Sequence, residues 1–137
     1  MVEPHWPFVE DKPAISYEDY TAEEHYKCGS VYESEGKLNW AAIEFERALR
    51  RDTEGRVLAK ACFALGNAYR RKGDLATRRL RPDHYWDQAE SWYDRCRKES
   101  PVHLGAATNL ADLCAERGHR LENAVDLCLE VIKRIRP

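Results

Sequence analysis

AEEHYKCGSVYESEGKLNWAAIEFERALRRD, residues 22–52, is the stretch that decides the fold. Tyr26, Gly29 and Tyr32 fall three apart, on one face of a first helix. Ala41, Phe45, Ala48 and Leu49 follow at helical spacing in a second. Gly36 sits between them and predicts a helix stop, because glycine enters the left-handed region at low cost. Thr21 and Glu24 have the spacing of a capping box, which predicts where the first helix begins.

The pattern returns further along. ACFALGNAYRRKG (residues 61–73) and WDQAESWYDRCRKESP (residues 86–101) together repeat the small residue, the tyrosine, the glycine, then alanine, an aromatic and a proline. Residues 110–118 and 123–131 repeat it more faintly. A recurring unit of two helices points to an α-solenoid.

At these residues the chain resembles the tetratricopeptide repeat (TPR) family. The family motif carries Leu-Gly-x-x-Tyr in the first helix, Ala-x-x-x-Phe/Tyr in the second, and a proline after it. Leu65, Gly66, Tyr69, Ala89, Tyr93 and Pro101 match in the second repeat. Gly29, Tyr32, Ala41, Phe45 and Ala48 match in the first, and Leu110, Ala111, Gly118 and Ala124 in the third. The resemblance implies an all-α, right-handed superhelical solenoid of three helix pairs, with repeats at about 22–55, 59–103 and 104–137. An extended arm over 1–17 precedes a domain over 18–137. Thr53 stands where the family prefers proline.

Periodicity predicts helices over 18–35, 38–52, 56–72, 82–99, 101–117 and 120–135. Gly73 reads as the stop of the third, and Ser100-Pro101 as the cap and first residue of the fifth. About eleven residues, DLATRRLRPDH, form an extended insert in the second repeat. Between Arg70 and Arg81 lie six basic residues, Arg70, Arg71, Lys72, Arg78, Arg79 and Arg81, opposed within that span by Asp74 alone. Inserts in repeat proteins map to loops on one face, often a binding face.

The N-terminal arm contains Pro4, Pro7 and Pro13, which oppose helix, yet it carries Trp6, Phe8 and Val9. It reads either as a loose tail or as an extended segment that docks on a groove. Residues 1–24 hold seven acidic side chains against Lys12, so a weak, salt-sensitive contact with the basic insert, or its replacement by an acidic partner, is expected.

Composition excludes several classes. A net charge of −2 gives no global signal for nucleic acid or membrane. No run of 18 apolar residues spans a bilayer, and the acidic start is not that of a signal peptide. Cys28, Cys62, Cys96, Cys114 and Cys128 fall mostly at small apolar slots, without a C-x-x-C pair. Free thiols packed as small hydrophobes are expected, with no metal or cofactor, in a reducing compartment, most simply the cytoplasm. No phosphate loop, G-x-S-x-G or H-E-x-x-H occurs, so no residues are nominated for catalysis.

The resemblance implies a groove lined by the first helices of the repeats. Its positions are Glu23, Tyr26, Ser30, Glu33 and Ser34, then Lys60, Phe63, Asn67, Arg70 and Arg71, then Gly105, Thr108, Asn109, Asp112 and Glu116. Asn67 is the amide suited to hold a peptide backbone. Tyr26 and Phe63 would supply apolar pockets, and Arg70 and Arg71 would meet a carboxylate. The bland alternative packs Tyr26 and Phe63 on neighbouring helices and leaves the arginines solvated. The carboxylate clamp of heat-shock co-chaperones is not met. Its five positions hold Tyr26, Ser30, Ala64, Gly105 and Asn109 here, and four of these are neither cations nor amides.

The function expected is a scaffold that binds a peptide or helix of a protein partner. A small secretion chaperone of three such repeats is an alternative, and a nucleic-acid binder acting through the insert a weaker one, since interleaved aromatics are missing. The last helix adds an interface. Its apolar arc sweeps about 200°, wider than one core face requires. Leu121, Val125, Leu129 and Ile132 are expected to be covered by a second copy, by the Trp6–Phe8 arm, or by a following helix; the homodimer is favoured.

Overall fold

The computed structural model describes residues 20–76, 82–101 and 103–135. Six helices and no strand occur among them: α1 (Ala22–Ser34), α2 (Leu38–Arg51), α3 (Leu58–Leu75), α4 (Pro82–Glu99), α5 (Leu104–Arg117) and α6 (Leu121–Ile135). Each helix packs on the next in chain order, and α3 also touches α5. The insert residues Arg78, Arg79 and Arg81 and the arm over 1–17 lie outside the described residues.

Local chemistry fixes most helix ends. Thr21 Oγ1 accepts from the Glu24 amide at 3.1 Å, and Glu24 Oε1 accepts from the Thr21 amide at 2.8 Å. That reciprocal box starts α1 at Ala22, four residues after the expected start. Gly36, at φ +78°, turns the chain between α1 and α2. The Asp52 carboxylate accepts from the amides of Arg56 and Val57, so the turn closes there and α3 begins at Leu58.

Two further boundaries are shifted by packing. Gly73 does not stop α3, which runs on to Leu75. It is buried inside the helix, where a Cβ would run into the Trp86 indole. The missing side chain lets α4 approach. The second difference is at α5, which starts at Leu104 rather than Pro101. His103 is its cap: Nδ1 accepts from the Ala106 amide at 3.2 Å, and the ring stacks on Phe63 with centroids 4.7 Å apart. Pro101 lies in the preceding turn, closed by the His103 amide donating to Ser100 O.

The core sits between successive helices. Tyr32, Ala41, Phe45 and Leu65 join α1, α2 and α3. Cys62, Cys96 and Ala106 form a small cluster among α3, α4 and α5. Tyr93, Leu110, Leu113 and Leu127 fill the C-terminal half. Two contacts repeat in form. A Cβ at Gly29 of α1 would lie 2.6 Å from the Phe45 ring of α2, and one at Gly66 of α3 would lie 2.5 Å from the Tyr93 ring of α4. In each case glycine lets an aromatic of the following helix seat against backbone.

All five cysteines are free thiols. Cys62, Cys96 and Cys114 are buried as expected, and burial pushes the Cys62 and Cys96 thiols up to about 11. Cys128 departs from the pattern: it is exposed on α6.

Candidate ligand-binding face

The residues expected to line a groove gather on the side shared by α1, α3 and α5, and side chains bridge these helices. Lys60 Nζ donates to Glu23 Oε1 at 2.8 Å and lies 4.7 Å over the Tyr26 ring, tying α3 to α1. Arg71 donates to the backbone oxygen of Glu33, a second tie between the same helices. Arg70 pairs with Glu116 at 3.0 Å, and Asn109 Nδ2 donates to Asn67 Oδ1 at 2.9 Å, both tying α3 to α5. These polar contacts form a ladder across three helices.

Asn67 sits at its centre. Its Oδ1 accepts from Asn109 and from the Tyr93 hydroxyl, at 2.5 Å. The amide oxygen therefore works first for the fold. Phe63 is half-buried between Tyr93, at 6.1 Å between centroids, and His103. Tyr26 tilts against Phe45 at 5.5 Å. The two aromatics thus follow the packing alternative, whereas the arginines are ion-paired rather than merely solvated. Ser30 is half-buried on α1 within the same set.

Three further features escaped the sequence reading. A cleft of about 420 Å³ opens along α1 and α2, lined by Lys27, Cys28, Val31, Tyr32, Glu35, Lys37 and Trp40. It uses a side of α1 other than the one bearing Tyr26 and Ser30.

The second is a buried pair. Glu44 Oε1 lies 2.8 Å from His25 Nδ1, both almost fully buried, and Arg47 approaches the other carboxylate oxygen at 3.3 Å. Burial pushes Glu44 up to about 7. Burial, followed by the nearby Arg47 and Arg51, pushes His25 down to about 4.

The third is Glu90 on α4, buried at 5 % exposure. Arg117 and His119 both reach its Oε2, at 2.5 and 2.7 Å, and Arg120 reaches Oε1 at 2.6 Å. Glu90, Cys114 and His119 offer ligand atoms within 4.8 Å of one another. The donor types suit a transition metal. The electrostatics oppose one, since two guanidiniums already occupy the carboxylate and would have to be displaced. The arrangement is a buried anion neutralised by its neighbours. Its partners come from residues 27–30 positions away, so no local spacing announces it.

No helix of the described residues is long and apolar enough to cross a membrane. Neither a family model nor a curated protein matches this chain.

Proposed function

We propose that this chain is a TPR-like interaction module: three helix pairs stacked in a right-handed superhelix, with a peptide or helix of a protein partner held on the face of α1, α3 and α5. The observation that carries the reading is the repeated seating of Phe45 on Gly29 and of Tyr93 on Gly66. The same contact at the same place in successive pairs supports a repeated unit. A repeated unit in turn sets the first helices side by side as one surface.

The polar ladder supports that surface as a binding site. Lys60, Arg70 and Arg71 are held in place by Glu23, Glu116 and Glu33, so a ligand meets side chains already ordered. An acidic or carboxylate-bearing segment matches them by exchanging one carboxylate for another. The three buried thiols support a reducing, cytoplasmic setting.

The test uses Lys60→Glu and Arg71→Glu. Both side chains are substantially exposed, and surface pairs of this kind contribute about 0–1 kcal/mol, so the fold tolerates the changes. Partners captured from the native host are identified by mass spectrometry and titrated by calorimetry. The reading expects at least one direct partner whose affinity falls about tenfold or more with either variant. Equal affinity of every partner for parent and variants removes this face from the function.

A further inference from the structure

The last helix carries two apolar seams. Ala124, Leu127 and Val131 face the protein's own core. Leu121, Val125, Cys128, Leu129, Ile132 and Ile135 are all exposed, the five large aliphatics at 46–62 %. At 100° per residue the second seam lies roughly 100° round the helix from the first. The 4-3-4-3 spacing of Leu121, Val125, Cys128, Ile132 and Ile135 is that of a coiled-coil seam, with Leu129 flanking it. A contiguous apolar stripe of this kind marks an interaction surface.

Charge identifies the occupant. Glu122 and Lys133 fall on the edge of the outer seam that faces away from the core. The first turn is acidic and the last, with Lys133 and Arg134, is basic. Placed antiparallel about a two-fold axis, this edge meets itself, and Glu122 of each copy lies opposite Lys133 of the other. A parallel pairing about a two-fold axis would set this edge against the opposite edge of the partner helix, so Glu122 and Lys133 would not meet. The antiparallel arrangement also opposes the two helix dipoles favourably.

We infer that α6 pairs antiparallel with α6 of a second copy of this chain, through Leu121, Val125, Cys128, Leu129 and Ile132, with two Glu122–Lys133 contacts setting the direction. One helix stripe buries less than the roughly 1,200 Å² of a standard interface. A weak dimer in ready exchange with the monomer is expected. This surface is separate from the α1–α3–α5 face, and either can fail without the other.

Sedimentation equilibrium of the full chain up to roughly 200 µM tests it. A reversible monomer–dimer equilibrium is expected, abolished by Val125→Glu and by Leu129→Glu with the helical circular dichroism and melting retained, since both side chains are exposed. Glu122→Lys alone and Lys133→Glu alone should each weaken the dimer about threefold to tenfold, and the double exchange should restore it. A strict monomer across that range overturns the proposal. So does a dimer indifferent to Val125→Glu and Leu129→Glu, or one that the double exchange does not restore.

Discussion

Tyr93 closes on Gly66 so tightly that a Cβ there would lie 2.5 Å from its ring, and the same tyrosine donates its hydroxyl to Asn67, one residue along α3. One side chain thus sets the spacing of α3 and α4 and anchors the polar ladder. Gly66→Ala must push the ring away or bend α3, and the ring is fully buried. Overpacking of this kind costs about 1–3 kcal/mol, and it exceeds the helix-propensity gain of nearly 1 kcal/mol from replacing glycine. Urea denaturation should show Gly66→Ala less stable than the parent. An unchanged or higher midpoint would mean that the ring relaxes freely.

Asn67 is expected to affect stability before it affects binding. Asn67→Ala removes the acceptor shared by the Tyr93 hydroxyl and the Asn109 amide, and Tyr93 is fully buried. The cost is about 1–3 kcal/mol for buried donors deprived of their acceptor. Tyr93→Phe in the same background should then cost little more, because its bond is already gone. Chemical denaturation of the two single variants and the double variant measures this. Additive losses would show that Asn67 and Tyr93 act separately.

Helices were legible in the sequence because apolar periodicity and caps are local. Thr21 with Glu24, and Gly36, each announce their boundary within a few residues. Gly73 misled because glycine has two uses, and sequence alone does not separate a stop from a close approach. Ser100-Pro101 offered a sound local start for α5, but packing of His103 on Phe63 moved it three residues on. The placing of Tyr26, Asn67 and Arg70 on one side came from the family resemblance, and the internal bonds they make did not. Lys60 finds Glu23 across 37 positions, and Glu90 finds Arg117 across 27. Such pairs exist only once the helices have docked. The outer seam of α6 was visible because it repeats along a single helix.

The His25–Glu44 pair gives a pH signature. Glu44 taken alone, raised to about 7, holds a proton in the folded state that the unfolded chain releases above about 4.3, so its contribution falls as pH rises. His25 taken alone, lowered to about 4, refuses a proton that the unfolded chain takes below about 6.5, so its contribution rises with pH. Between about pH 4.5 and 6.5 folded and unfolded pairs each hold one proton, and the two slopes cancel. His25→Leu removes one of them. The stability gap between parent and variant should widen with rising pH over this window, by on the order of 1 kcal/mol per unit. Denaturation at a series of pH values reads the gap, in which contributions common to both proteins drop out. A gap constant with pH would mean that Glu44 is ionised throughout.

Glu90 meets Arg117, His119 and Arg120, and its removal tests whether a buried anion holds α4 to the α5–α6 turn. Glu90→Ala leaves Arg117, Arg120 and His119 facing a vacated site. Removing one member of a buried charge cluster costs about 3–5 kcal/mol. The lower end is expected here, because Arg117 keeps Asp87 at 2.9 Å and Arg120 keeps Asp94 at 3.5 Å. Glu90→Gln retains the shape and one acceptor and should cost about half as much. Added zinc should not raise the melting temperature of the parent, since both Glu90 oxygens are engaged by guanidiniums. Calorimetric melting of parent, Glu90→Gln and Glu90→Ala, each with and without zinc, separates the outcomes. A loss below about 0.5 kcal/mol for Glu90→Ala would mark the network as surface electrostatics. A stoichiometric zinc-dependent rise in the parent, lost in Glu90→Ala, would instead make Glu90, Cys114 and His119 a metal site that competes with the arginines.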